Sequence, residues 1–291
     1  MKTAGIYIHI PFCSFLCHYC DFVKTANWNQ EIKDQYFKQL EIHLNSWIHK
    51  FIRPRNIKLS SLYIGGGTPS LFAREYTKIF ELLSPHLKNN SEITLEANPE
   101  NLTPEKLNIW KNLKINRLSI GIQSFCPKGL DFLTRKSGTS SYESIVVAKK
   151  YFDNINLDLI YGWNNQSTEL WKDDLQKVVS LEPKHLSLYL LTYAHKTPLG
   201  RAYFRKKIKS EEDSVLEKKY TFACTFLAAN DYQHVEISNW SKDNYYCRHN
   251  ELYWQDKYYL AIGVGAHGYI PSVTEKFGIR YATELSIIRA I

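Results

Sequence analysis

Residues 7–20, with the sequence YIHIPFCSFLCHYC, join a β-rich run to a group of three cysteines. These are Cys13, Cys17 and Cys20, in the spacing C-x3-C-x2-C. Thiolates in one short loop of this kind can bind three of the four irons of a [4Fe–4S] cluster. The fourth iron then has no protein ligand. An open iron of this kind can chelate the amino and carboxylate groups of S-adenosylmethionine, so we expect both cofactors.

Two other uses of the cysteines stay open on spacing alone. A structural zinc site needs four ligands, and no second C-x2-C or H-x3-H pair is present, so zinc would require a distant ligand. Cys17 and Cys20 could instead form a redox pair. The other cysteines, Cys126, Cys224 and Cys247, lie far apart, unlike those of a small disulfide scaffold.

The composition is typical of a globular protein. Of the 291 residues, 44% are hydrophobic and 23% are charged. No apolar run approaches the length of a membrane span, and the N-terminus resembles no targeting peptide, so we expect a cytoplasmic location. The net charge is +8, but the basic residues are scattered. We therefore do not favour a nucleic-acid partner, and we leave peripheral membrane contact open.

Short β-rich runs alternate with segments of helical periodicity. This alternation predicts right-handed βαβ units and a parallel sheet. A closed barrel needs eight units, so six predict a partial (β/α)6 barrel of the α/β class, with extra C-terminal β/α elements. The six predicted strands are Gly5–Ile10, Ser60–Ile64, Glu92–Ala97, Asn116–Ile122, Ile155–Ile160 and His185–Leu190.

Residues that suit ligand binding follow or end several of these strands. Gly65 follows the second strand, Glu96 lies near the end of the third and Gln123 follows the fourth. The carboxyl ends of parallel strands meet at one edge of a sheet, where active sites gather. Asp158 is the one polar residue of the run Leu157–Ile160, where a carboxylate is costly unless it is paired or bound to a ligand.

The pattern changes near residue 234. We predict a core domain at 1–233 and a C-terminal extension at 234–291 that packs on the barrel. The extension has a strand-like run at His234–Trp240, the segment HNELYW at 249–254 and a glycine-rich run at 263–268. A helix capped by Thr283 is predicted at the end of the sequence.

Several motifs, taken in order, resemble the radical SAM family that includes oxygen-independent coproporphyrinogen III oxidases and haem chaperones. The similarity runs over nearly the whole chain. After the cysteine loop it continues with GGGTPS at 65–70, EANP at 96–99, SIGIQS at 119–124, DLIYG at 158–162 and HNELYW at 249–254.

The resemblance implies roles for individual residues. Tyr7 and Tyr19 would flank the cluster. Gly66, Gly67 and Thr68 would contact S-adenosylmethionine, and Glu96 would meet its methionine end. Four further residues match positions near a second S-adenosylmethionine in the oxidase type: Gln123, Arg135, Asp158 and Thr192.

The oxidase type has a further cysteine where this chain has Phe22, so the sequence leaves enzymatic activity undecided and favours the haem-chaperone type. The haem-chaperone type has the motif H-N-x-x-Y-W, which this chain matches with HNELYW at 249–254. An imidazole is a common axial haem ligand. We therefore expect His249 to bind haem as cargo, with Cys247 as a second candidate ligand.

The leading function is a chaperone that passes haem or a porphyrin to a haem-accepting protein of unknown identity. The alternative is oxygen-independent coproporphyrinogen oxidation. Radical modification of RNA is a third class, but the chain has no recognisable RNA-binding segment. Two departures from the family pattern are Tyr193-Ala194, where an acidic residue is usual, and the C-terminus. Family members continue into a further helical domain, whereas this sequence ends at Ile291, as either a short member or a truncated one would.

Overall fold

The computed structural model describes residues 2–135, 141–271 and 278–283. The helix predicted to follow Thr283 lies outside the described residues. Within them, no helix is long and apolar enough to cross a membrane.

Six parallel strands lie side by side in chain order and form the centre of one sheet. The intervening helices connect one strand to the next, which confirms the partial (β/α)6 barrel. The observed strands are β1 (Thr3–Ile10), β2 (Lys58–Gly66), β3 (Leu87–Ala97), β4 (Arg117–Gln123), β5 (Ile155–Tyr161) and β6 (His185–Leu190). Each of the six predicted strands is observed, although β3 begins five residues earlier than predicted and β4 is shifted by one residue.

The helices bury one apolar stripe each against the sheet. On α1, Phe37, Leu40 and Leu44 are buried in the main core, as their spacing predicts. The helices are α1 (Gln30–Trp47, continued by a π-helical turn at Ile48–Ile52), α2 (Thr77–Leu83), α3 (Pro104–Asn112), α4 (Pro127–Phe132), α5 (Ser141–Lys149), α6 (Thr168–Ser180), α7 (Pro198–Phe204), α8 (Asp213–Ala228) and α9 (Arg248–Trp254). Single 3-10 turns cover Pro69–Leu71, Arg74–Tyr76, Ser84–His86 and Pro99–Asn101.

Side chains alternate between the two faces of the strands. On β2, Leu62 and Ile64 belong to the apolar core that the helices cover. Ser61 and Tyr63 point to the opposite face, and register places polar residues of the neighbouring strands beside them. This opposite face is therefore polar although it is buried, and it leads to the carboxyl ends of the strands.

The C-terminal segment extends the sheet at both edges. At one edge, β7 (Gln233–Glu236) and β8 (Asn239–Ser241) form an antiparallel pair beside β6. At the other, β9 (Tyr258–Ile262) runs parallel to β1, followed by β10 (His267–Ile270) and β11 (Ile279–Ala282). The run predicted as one strand at His234–Trp240 is thus two strands with a turn between them. The division at 233/234 remains a prediction, and β7 spans it.

Candidate functional site

A cavity of about 510 Å³ opens at the carboxyl ends of the strands. It brings together twelve of the fourteen residues that the sequence singled out for the site. Tyr7 and His249 line a second, smaller cavity instead. The twelve residues are Cys13, Cys17, Tyr19, Cys20, Gly66, Gly67, Thr68, Glu96, Gln123, Arg135, Asp158 and Thr192.

The cysteine loop begins directly after β1 and is held at its base by backbone contacts. The Cys13 N–H donates to the Thr25 carbonyl at 2.9 Å, and the Trp28 indole N–H donates to the Cys13 carbonyl at 2.9 Å. Lys24 Nζ donates to the Cys20 carbonyl at 2.6 Å. These contacts join the loop to the segment that follows it, and its three free thiols line one cavity.

Burial makes two of these thiols, those of Cys13 and Cys20, poor anions until a metal binds them. It raises the pKa of Cys13 to about 11, and it also raises the pKa of Cys20. Arg135 places Nη1 3.8 Å from Cys17 Sγ, so its positive charge faces the cysteine loop. Iron would replace the thiol protons, as it does wherever cysteine is a ligand.

The glycine turn after β2 fits close approach by a ligand. Gly66 has a φ of +125°, and a Cβ there would lie 2.8 Å from the Ile10 carbonyl oxygen. A Cβ on Gly67 would lie 2.8 Å from Cys13 Sγ. Neither position tolerates a side chain, so the backbone stays bare beside the thiols.

The donor set fits a cubane better than a single metal ion. Three thiols share the cavity, and each can bind a separate iron corner of a [4Fe–4S] cluster. Across the described ranges, no three His, Cys, Asp or Glu side chains are grouped so that they could hold one metal ion.

Glu96 lies between the two cavities and lines both. Its carboxylate accepts hydrogen bonds from the Gly66 N–H at 2.8 Å and from the Tyr63 hydroxyl at 3.0 Å. Burial raises the pKa of Glu96 to about 7, although these hydrogen bonds favour the charged form. A buried carboxylate beside bare glycine backbone can bind an ammonium group, such as that of a methionine moiety.

Asp158 and Arg135 line another part of the wall of the large cavity. Asp158 accepts from Asn156 Nδ2 at 2.7 Å and from Ser119 Oγ at 3.4 Å, and burial raises its pKa. Arg135 Nη2 donates to the Gly121 carbonyl at 2.6 Å and to Asn98 Oδ1 at 2.8 Å. The expected cost of Asp158 in an apolar strand is thus partly offset by hydrogen bonds.

Gln123 and Thr192 complete this wall. Gln123 has a φ of +71°, at the irregular register between β4 and β5, which aims its side chain into the cavity. Thr192 is exposed, and its hydroxyl donates to the Leu190 carbonyl at 3.4 Å.

The second cavity, of about 190 Å³, shares the wall residues Phe22, Tyr63, Gly66 and Glu96 with the first. Its other lining residues are Tyr7, His249, Asn250 and Tyr253. The Tyr7 hydroxyl lies 3.0 Å from His9 Nδ1. Tyr7 therefore faces the HNELYW segment rather than the large cavity.

His249 is 1% exposed, and its Nδ1 lies 2.9 Å from Ser61 Oγ. Its Nε2 is buried without a hydrogen-bond partner among the described residues. Burial lowers the pKa of His249 to about 3, helped by the positive charge of Arg117, so the ring is neutral at physiological pH.

Sequence reasoning missed several residues of the site. Tyr63 and Ser61 precede the glycine turn at alternate positions of β2, and Tyr189 lines the large cavity from β6. The period-2 alternation of strands would have found Tyr63, because it shares a face with Gly65. Nothing local indicates that Ser61 meets His249, 188 residues away.

We expect loss of any one loop cysteine to abolish cluster binding. The Cys20→Ala variant, reconstituted without oxygen, should lose the iron and sulfide of the wild type, which we expect to hold about four of each. Cys224→Ala is the matched control, because Cys224 lies on α8 outside both cavities. Iron analysis measures both variants. Full iron content in Cys20→Ala would contradict the assignment.

Glu96 should make stability depend on pH in a defined direction. The pKa of Glu96 is near 4.5 in the unfolded chain and about 7 in the folded protein, so folding favours the protonated carboxyl. The contribution of this proton to stability is fully present below pH 4.5 and is lost as the pH rises through 7. Glu96→Gln cannot ionise. Its free energy of unfolding relative to wild type should rise by about 1–3 kcal/mol between pH 5 and pH 8.

Chemical denaturation at the two pH values measures this difference. Glu105→Gln is the control, because Glu105 is an exposed residue of α3. A difference that stays constant between pH 5 and pH 8 would show that Glu96 is not a buried acid with a raised pKa.

Comparison with known proteins agrees with this geometry. Residues 7–178 match the family model described as the Radical SAM superfamily. The chain is 36% identical over 284 residues to the haem chaperone HemW of Buchnera aphidicola, covering 96% of this chain and 72% of that protein. It is 34% identical over 278 residues to HemW of Bacillus subtilis, covering 93% and 71%.

The fold also matches that of a solved structure, the radical SAM enzyme coproporphyrinogen III oxidase (HemN) of Escherichia coli. The TM-score is 0.77 at 24% identity, over 92% of this chain and 64% of that one. The radical SAM family implies S-adenosylmethionine and a [4Fe–4S] cluster, for which the three thiols and the bare glycine turn are suited. The chain therefore belongs to the radical SAM superfamily and, within it, to the family of the haem chaperone HemW.

Proposed function

We propose that this protein is a radical SAM haem chaperone that binds haem beside the HNELYW segment and passes it to a haem-requiring protein. The observation that carries the proposal is the shared wall of the two cavities. One cavity holds the three thiols, and the other holds His249 of the HNELYW segment. The relatives named haem chaperone HemW support this function.

The large cavity would hold the cluster on Cys13, Cys17 and Cys20. When bound, the cluster and S-adenosylmethionine supply one-electron reductive chemistry. Glu96 would bind the ammonium group of the methionine moiety, with Gly66, Gly67 and Thr68 contacting the cofactor through their backbone. Tyr19 would shield the cluster. Gln123, Arg135, Asp158 and Thr192 would bind the remainder of this molecule or a second one.

Haem would bind at the mouth of the small cavity. A porphyrin is larger than about 190 Å³, so it would lie across the mouth after the outer side chains turn aside. These outer side chains are Phe22, 69% exposed, and Tyr253, 43% exposed. Both are aromatic and can pack against a porphyrin face. His249 would then present Nε2 to the iron.

Cys247 is less suited to this role. It is buried, its Sγ lies 3.8 Å from Glu92 Oε1, and it lines neither cavity. Burial raises the pKa of Cys247 to about 12, so it is a neutral thiol. We therefore assign axial ligation to His249 alone.

Coproporphyrinogen oxidation is the alternative function, since it belongs to the solved protein whose fold this chain shares. Phe22 argues against it, because the oxidase type has a cysteine at this position. The exposed aromatic ring of Phe22 instead extends the apolar rim of both cavities.

We expect purified wild type to bind haem with a Soret band, and the His249→Ala variant to bind it at least about tenfold more weakly, with a shifted band, because iron loses a ligand. His49→Ala is the control, since His49 is exposed beyond the end of α1. Iron content should stay unchanged in both variants. Haem binding by His249→Ala like that of wild type, or conversion of coproporphyrinogen, would overturn the proposal.

A further inference from the structure

Three neighbouring strands present one residue each to helix α9. Gly5 of β1 stands opposite Ser61 of β2, and Ser61 stands opposite Glu92 of β3. All three contact the start of the HNELYW segment. We refer to Gly5, Ser61 and Glu92 as the α9 seat.

Each residue of the α9 seat makes a different contact. Glu92 Oε1 accepts from the backbone N–H of His249 at 3.3 Å, and Ser61 Oγ lies 2.9 Å from His249 Nδ1. Gly5 supplies space: a Cβ there would lie 2.3 Å from Leu252 Cδ1 and 3.0 Å from His249 Nδ1. The seat therefore fixes both the backbone and the ring of His249.

These contacts leave one ring nitrogen uncommitted. With Nδ1 at Ser61, Nε2 is the nitrogen that remains, and it has no partner among the residues described. His249 lines the small cavity. A buried nitrogen that lacks a hydrogen-bond partner and belongs to a side chain lining a cavity is typical of a ligand-binding group.

The proton on the ring decides whether that nitrogen can bind a metal. A neutral imidazole carries its proton on one nitrogen, and only the other has a free lone pair. The Ser61 hydroxyl can either donate to Nδ1 or accept from it. Glu92 stands opposite Ser61 on the next strand, and its negative charge favours a hydroxyl whose hydrogen points towards β3 and whose oxygen points towards Nδ1.

We propose that Ser61 is a positioning residue that holds His249 as the Nδ1–H tautomer, so that the Nε2 lone pair is free for the haem iron. This inference rests on the proposed function for its ligand, but the tautomer itself is a property of the haem-free protein. At metal-binding histidines, the hydrogen-bond partner of the other ring nitrogen orients the ring and fixes its proton. We assign this role to Ser61.

The direct test is the tautomer of His249 in the haem-free full chain. Long-range ¹H–¹⁵N spectra of protein labelled on histidine distinguish the two nitrogens, and the signals absent from His249→Ala identify the ring. We expect Nδ1 to carry the proton in wild type. A proton on Nε2 in wild type would overturn the proposal without any variant of Ser61.

Variants of β2 supply the matched comparison. Ser61→Ala should lose the Nδ1–H preference and bind haem about 10–100-fold more weakly. Ser60→Ala is the control, because the neighbouring Ser60 donates to the Ala4 carbonyl and does not meet His249. Ser61→Thr keeps a hydroxyl and should restore the tautomer. An unchanged tautomer and unchanged haem affinity in Ser61→Ala would overturn the role of Ser61.

The two proposals fail separately. Absence of haem binding in wild type overturns the proposed function, whereas the tautomer spectrum still decides the role of Ser61. A tautomer and a haem affinity that are both unchanged in Ser61→Ala overturn the role of Ser61 and leave the chaperone function standing.

Discussion

The alternation of side chains along β1–β6 is the constraint on which the rest of the structure depends. One face carries the apolar residues that the helices cover, and the other carries Ser61, Glu96, Asp158 and their neighbours. Burying these polar groups costs free energy unless they are paired. Some are not: Nε and Nη1 of Arg117 have no partner among the described residues. The polar face therefore provides ligand-binding groups and internal polar contacts, and the apolar packing is confined to the other face.

Much of this architecture follows from local sequence. Strands such as Ile155–Tyr161 are recognisable because most of the run is apolar, with Asn156 and Asp158 as its polar residues. The cysteine loop and the glycine turn are equally local, since each depends on spacing within a few residues. Parallel strands then bring the two together at one edge, which is why the large cavity could be predicted from the sequence.

The remaining features depend on pairing between distant segments. The parallel contact of β9 with β1 joins Tyr258 to Ala4, and no local pattern encodes such a partner. The contact of Ser61 with His249 arises from the same pairing, because β9 and α9 both pack beside β1 and β2. For this reason the sequence indicated His249 as a ligand but not its burial, its tautomer or the small cavity that it lines.

The cofactor cavity and the proposed haem site share a wall, with Glu96, Tyr63, Gly66 and Phe22 facing both. We expect a ligand on one side of this wall to change the affinity for a ligand on the other side, and any such coupling is reciprocal. The most direct test is to measure haem affinity with and without S-adenosylmethionine, and S-adenosylmethionine affinity with and without haem, on protein carrying its cluster. We expect each ligand to change the affinity for the other by the same factor, about fivefold or more. A haem affinity that is the same with and without S-adenosylmethionine, together with an S-adenosylmethionine affinity that is the same with and without haem, would show that the two sites are not coupled.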